Sequence, residues 1–192
     1  MSNEVRMPYE VAKHILLEIL QNDVFWTDKD ILKLLNRIIN LRKVDVKSVG
    51  LSRIKIDEKN RIYFPEYSMK EIRMSYLPKT LFIFFLFHPE GRCFKQLCDF
   101  KQELYRIYQI IAVEKDMDAF RMKKSIDNLT EPLSNSIHEV RSVIRKTLSE
   151  VIPQEALEQY CIIGKRGEKY SVSLHRSLVC VENEELRKFI NY

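Results

Sequence analysis

Apolar residues in the first part of the chain recur every three or four positions. Residues 8–20 and 27–41 each place them on one stripe of a helix, and Pro8 suits a first helical turn. The two segments therefore predict a pair of helices. The spacing then changes, so we expect an N-terminal helical pair over 1–48, appended to a separate domain over 49–192.

The next stretch alternates apolar and polar positions, as half-buried strands do. Residues 52–64 hold two such runs around a turn at 57–60, which predicts a β-hairpin, and residues 70–77 predict a further strand. Pro78 then begins a helix that contains the apolar run LFIFFLF at 81–87. A membrane span takes about 20 apolar residues, so we expect this helix to be buried in protein and no membrane to be involved.

Helical spacing continues through the middle of the chain. A short turn is expected at 94–97, a longer helix from Asp99, as its cap, to Ile111, and a weaker helix at 116–129. Residues 136–151 form the clearest helical pattern, with a narrow apolar stripe that should face the core. A last short helix is expected at 183–190.

Two alternating segments near the C-terminus flank the turn GKRG at 164–167. They predict strands over 160–163 and 169–174 that pair as a hairpin with a basic tip. We expect this hairpin to pack beside the helix at 136–151. The predicted core cluster consists of Leu81, Phe84, Phe85, Leu97, Ile144, Leu148 and Tyr170.

The composition is that of a soluble globular protein. Of 192 residues, 45% are hydrophobic and 31% are charged, and the net charge of +5 permits an anionic partner without requiring one. The first residues, MSNEVRMPYE, lack the apolar run of a secretory signal, so we expect a cytoplasmic protein.

Candidate catalytic and metal-binding motifs are few. The four cysteines and four histidines show no metal-ligand spacing, so we expect reduced thiols and neither a metal nor a cofactor. The sequence has no Gly-rich phosphate loop and no GxSxG or HExxH motif, so we do not expect an enzyme. His88, beside Pro89, is expected to be a turn residue.

The order of strands, helices and terminal hairpin resembles the winged helix-turn-helix domain of OmpR/PhoB-type response regulators. YLPKTLFIFFLFHPEGRCFKQL, at 76–97, is similar to the start of that domain, SIHEVRSVIRKTLSEV, at 136–151, to its recognition helix, and YCIIGKRGEKYSVSL, at 160–174, to its wing. The chain is also similar to small bacterial proteins that share the HPEG signature. The main resemblance covers about 52–176 and implies an α+β fold with an N-terminal sheet and a role as a bacterial DNA-binding transcriptional regulator.

Three features depart from that family. No phosphoacceptor receiver domain is expected before residue 50. Glu168 and Lys169 stand where the family has a glycine before the wing tyrosine. The stretch at about 112–134 is longer than the family's loop, and we interpret it as an insertion.

The candidate DNA-binding residues lie on the helix opposite its apolar stripe and at the hairpin tip. They are His138, Arg141, Ser142, Arg145, Lys146, Ser149, Lys165, Arg166 and Lys169. The resemblance implies that the helix enters the major groove and that the tip touches the backbone or minor groove of duplex DNA. A homodimer, for which the N-terminal pair could provide the contact, would present two such helices to two half-sites.

Two other interpretations of these residues remain open. Arginine and serine are ordinary on a solvated helix face, and a basic tip also keeps a hairpin soluble. A protein–protein interaction module that keeps the fold without binding DNA is favoured by Glu139, Glu168, the modest net charge and the long stretch at 112–134.

Overall fold

The computed structural model describes residues 50–113 and 118–190, together with three helical positions, Val11, His14 and Glu18. The chain divides into two compact units, Met1–Gly50 and Leu51–Tyr192. The predicted helical pair falls in the first unit and, apart from those three positions, lies outside the described residues.

The described part of the second unit is a mixed α+β structure, so the α+β class is confirmed. Its elements are β1 (Ile54–Ile56), β2 (Ile62–Phe64), β3 (Ser68–Ile72), α1 (Tyr76–Phe87), β4 (Arg92–Cys93), α2 (Lys101–Ala112), α3 (Ala119–Thr130), α4 (Ser136–Ser149), α5 (Gln154–Tyr160), β5 (Ile162–Ile163), β6 (Lys169–Val172), β7 (Val179–Val181) and α6 (Glu184–Arg187). Short 3-10 helices, Phe94–Phe100 and Arg176–Leu178, precede α2 and β7. Among the helices that the structure describes, none is long and apolar enough to span a bilayer.

The first sheet has the strand order β3-β2-β1-β7, in which β7 runs parallel to β1 and the other pairs are antiparallel. The hairpin predicted at 52–64 is confirmed. Its turn is held by the Asp57 carboxylate, which accepts hydrogen bonds from the backbone amides of Lys59 and Arg61 at 3.0 and 2.8 Å. Asn60 in this turn adopts a φ of 61°, a conformation that asparagine tolerates better than most residues.

Helix α1 lies at the centre of the core because nearly all of its side chains are apolar. Its residues from Pro78 to Phe87 are all buried, and it packs against α2 and α4. Lys79 is the buried cation of this helix, and its Nζ donates to the backbone carbonyl of Asn60 at 3.1 Å. All seven predicted core residues are buried in the same cluster, which confirms that prediction.

The second sheet contains the predicted C-terminal hairpin, which is also confirmed. In it, β5 and β6 are antiparallel, and β4 pairs with the other edge of β6 to give the order β4-β6-β5. The first residue of the tip, Gly164, has no room for a side chain: a Cβ there would lie 2.6 Å from the carbonyl oxygen of Lys169 and 2.8 Å from the Tyr170 ring. The hairpin is thus tied to the end of α1 through β4.

Several predicted boundaries in the first half are wrong. The strand expected over 70–77 ends at Ile72, and α1 begins at Tyr76 rather than Pro78. Pro78 fits inside the first turn because the first amides of a helix have no partner within it. Asp99 does not cap α2: the helix follows Phe100, because the 3-10 helix runs directly into it.

Boundaries also differ near the hairpin. The clearest predicted helix ends at Ser149, not at 151, and the predicted strand at 160–163 keeps only Ile162 and Ile163. Tyr160 instead ends α5, a helix of seven residues that was not predicted. The weaker helix at 116–129 is confirmed as α3, whose cap Asp118 accepts the Phe120 amide at 3.0 Å.

Candidate nucleic-acid interface

Helix α4 buries one stripe and exposes the opposite face. Its buried residues are Ile137, Val140, Ile144 and Leu148. Arg141 is half-buried, while the other candidate residues of the helix are exposed: His138, Ser142, Arg145, Lys146 and Ser149. The 3.6-residue period of the helix therefore separates the candidate residues from the core.

The hairpin tip carries the remaining candidates into solvent. Lys165, Arg166 and Lys169 are exposed, and the Glu168 amide closes the turn by donating to the Lys165 carbonyl at 3.0 Å. Gly167 follows with a φ of 87°, which favours glycine over any side chain-bearing residue. The tip is therefore a tight turn whose shape depends on its glycines.

A stack of aromatic rings fixes α4 against the hairpin. The rings of Phe94 and Tyr170 are parallel within 6°, with centroids 3.7 Å apart. The Arg141 guanidinium lies 5.4 Å from the Tyr170 centroid, and the His138 ring lies 5.5 Å from that of Phe94. Two candidate residues, one helical turn apart, therefore contact the stack, and Arg141 is held by a cation–π contact rather than extending freely.

Two grooves flank the contact between α4 and the hairpin. The first, of about 180 Å³, is lined by Arg141, Ser142, Arg145 and residues 161–164. The second, of about 470 Å³, lies between the tip and the start of α4, and its lining includes His138, Arg166, Lys95 and Leu133. The candidates outside both grooves are Lys146, Ser149, Lys165 and Lys169.

The surface formed by α4 and the tip is cationic. Its six cations are Arg141, Arg145, Lys146, Lys165, Arg166 and Lys169, and no carboxylate in the described residues forms an ion pair with them. Glu139 and Glu168 are exposed on the same two elements and reduce its positive charge.

The two serines contribute differently from the cations. The Ser142 and Ser149 hydroxyls donate to the backbone carbonyls of His138 and Lys146, at 2.9 and 2.7 Å. Their protons are therefore engaged within the helix, and their oxygens remain available as acceptors.

Cys161 lines the first groove but is only 2% exposed. Burial raises the pKa of its thiol, and the neighbouring Arg145 and Arg141 offset this only in part. The thiol is therefore neutral and a poor nucleophile. Among the described residues, no group of three His, Cys, Asp or Glu side chains is arranged to hold a metal ion.

Sequence reasoning missed a polar cluster around a buried histidine at the end of α1. His88, expected to be only a turn residue, is 4% exposed and contacts Glu90, Arg92 and Glu103. Glu103 lies on α2, one helix away from His88, so no local spacing indicates the contact. The stack of Phe94 on Tyr170 was missed for the same reason.

Comparison with known proteins gives no relative. No family model, curated protein sequence or solved structure matches the chain. The function proposed for the cationic surface therefore rests on its own geometry and charge.

Proposed function

We propose that the protein binds duplex DNA with a winged helix-turn-helix formed by α4 and the β5–β6 hairpin, and that it is a bacterial transcriptional regulator. In this proposal α4 enters the major groove, and the GKRG tip reaches a phosphate or the minor groove. The observation that carries the proposal is the set of six cations on these two elements without ion-pair partners among the described residues. Cations without carboxylate partners are available to neutralise phosphates and to release counterions from DNA.

The order of elements supports the same proposal. Helices α1, α2 and α4 precede a terminal two-stranded hairpin, as the resemblance to OmpR/PhoB-type domains implies. Because β4 pairs with β6, the hairpin has a fixed position beside α4 from which its tip projects. Helix α3, in the stretch we interpret as an insertion, distinguishes this chain from that family.

A protein partner is the second candidate. Val143 on α4 and Ile163 on β5 are 45% and 39% exposed, and Glu139 and Glu168 are close to them in sequence. Exposed apolar side chains suit a protein partner, and the carboxylates would repel a phosphate backbone. The same two elements would then dock another protein.

Salt dependence of DNA affinity separates the two candidates. Anisotropy of a labelled duplex is measured from about 50 to about 200 mM salt, because each phosphate contact contributes about 0.9 to the slope of log K against log salt. The double variant Lys165→Ala, Arg166→Ala should bind all sequences more weakly and flatten the slope by about two. Arg145→Ala should lose about 1–3 kcal/mol of discrimination at one base pair if it contacts a base edge.

The matched control removes the same charge from the first sheet. Lys59 and Lys70 are exposed there, and Lys59→Ala with Lys70→Ala should leave the slope unchanged. Equal losses in the two double variants would mean that net charge alone drives binding. No DNA affinity of the wild-type protein at high micromolar concentration and low salt would refute DNA binding and leave the protein partner.

A further inference from the structure

A charged cluster around the buried His88 joins the end of α1, the start of α2 and strand β4. Nε2 of His88 lies 2.9 Å from Oε1 of Glu103, and Nδ1 lies 3.1 Å from Oε1 of Glu90. Nη2 of Arg92, the first residue of β4, lies 3.0 Å from His88 Nδ1 and 2.5 Å from the same Glu90 oxygen. One imidazole therefore contacts both carboxylates and the guanidinium.

The protonation state of the His88 ring decides which of these contacts are hydrogen bonds. A neutral imidazole carries one N–H, so in either tautomer one ring nitrogen faces a carboxylate oxygen with no proton between them. If Nε2 carries the proton, Nδ1 accepts from Arg92 but opposes Glu90; if Nδ1 carries it, Nε2 opposes Glu103. Only the protonated ring donates to both carboxylates at once. It cannot also accept from Arg92, so both His88 Nδ1 and Arg92 Nη2 then donate to the same Glu90 oxygen, and Glu90 links the ring to β4.

The charges of the cluster favour the same state. With His88 protonated, two cations balance two carboxylates, whereas the neutral ring leaves one uncompensated negative charge. The imidazole between these carboxylates is packed beside the rings of Phe84 and Phe100, whose centroids are 4.4 and 5.6 Å from its own. Burial lowers the pKa of His88, but hydrogen bonds with Glu103 and Glu90 outweigh it and raise the pKa above its ordinary 6.5.

We propose that His88 is a proton-dependent anchor for the hairpin: the protonated ring ties α1, α2 and β4 together, and loss of the proton loosens β4 and its partner β6. The mechanical link is the β4–β6 ladder, in which Arg92 lies opposite Tyr170. Arg92 joins the cluster through Nη2, its guanidinium lies 4.7 Å from the Phe100 ring centroid, and its Nε is buried with no hydrogen-bond partner in the described part of the chain. The inference concerns the position of the hairpin, whether or not the hairpin binds DNA.

Amide hydrogen exchange followed by NMR tests the anchor on the full chain. Exchange is compared at about pH 6 and about pH 8.5, on either side of a histidine titration, after correction for the intrinsic rate. We expect the protection of the β4–β6 amides to fall about two- to tenfold at the higher pH, which is the net effect of one hydrogen bond. The His88 ring should titrate above pH 6.5 in the same samples.

Two variants make the test specific. His88→Gln keeps an N–H donor but cannot titrate, so its protection should not change with pH. His175→Gln removes an exposed histidine that is hydrogen-bonded to nearby Ser177, and it should behave as the wild type does. If His88→Gln does not fold, Glu103→Gln serves instead and should lower the titration midpoint of His88.

Two results would overturn the anchor: pH-independent protection in the wild type, or pH dependence that survives in His88→Gln. A parallel measurement of DNA affinity at both pH values rests on the proposed function. An affinity that stays constant while the exchange changes would refute a role of the anchor in DNA binding. Absence of DNA binding at either pH would refute the proposed function, and the exchange data would still decide the anchor.

Discussion

Replacing Ile144 by alanine tests which face of α4 points into the core. The Ile144 side chain is 1% exposed and lies on the buried stripe of the helix. The change removes three buried carbon groups at about 0.8 kcal/mol each, or about 2.4 kcal/mol before any cavity is counted. With the cavity, the loss should lie within the usual range of about 2–5 kcal/mol. The midpoint of thermal unfolding should fall by about 4–20 °C, at about 2–4 °C for each kcal/mol.

Urea unfolding followed by far-UV circular dichroism measures this loss as a lower midpoint at an unchanged slope. The neighbouring Val143 is 45% exposed, so Val143→Ala provides the matched control and should change stability by less than about 0.5 kcal/mol. If Ile144→Ala also costs less than about 0.5 kcal/mol, the two faces of α4 are assigned the wrong way round. The proposed DNA-binding residues would then lie in the core.

Two further changes test the hairpin tip and a network at the first sheet. Gly164→Ala should destabilise the hairpin by about 1–3 kcal/mol in the same urea assay, because the added Cβ meets the Lys169 carbonyl. The control Glu168→Ala, at the exposed tip, should be nearly neutral. Partial burial raises the pKa of Glu66, but hydrogen bonds from the Ser52 hydroxyl and from Arg53 outweigh it and lower the pKa from 4.5 to about 2. The contribution of Glu66 to stability is therefore full above pH 4.5 and is lost as the pH falls through about 2. The wild type should lose more stability over this pH interval than Glu66→Gln does. Equal acid sensitivity of the two proteins would contradict the network.

Elements with a strong local period were predictable from the sequence. The stripe of α4 and the alternation on both sides of GKRG gave the helix and hairpin correctly, because each depends on which face is buried. Helix α5 was missed because two helical turns show too little periodicity to outweigh the neighbouring apolar strand. Its last residue, Tyr160, instead belongs to the core, where its hydroxyl donates to the carbonyl of Ser52 at 2.8 Å.

Contacts between distant segments were not predictable in the same way. His88 at the end of α1 contacts Glu103 on α2, and Phe94 stacks on Tyr170, which lies far along the chain from it. Histidine and phenylalanine are common in turns and cores, so the positions of His88 and Phe94 in the sequence do not indicate which residues they contact. The candidate residues were identified by type and helical position, but the cation–π contact that holds Arg141 depends on tertiary packing.

The parallel pairing of β1 with β7 affects how the chain folds during synthesis. Near this pair, the Asn183 side-chain amide donates to the Glu58 carbonyl at 3.0 Å across 125 residues of sequence. At about 5–20 residues per second, a ribosome needs about 6–25 s to make that interval. The β1–β2–β3 meander therefore leaves the ribosome with the β1 edge unpaired, and such an edge can pair with another chain. We expect nascent chains halted before β7 to need a chaperone, whereas chains extended past it close the edge themselves.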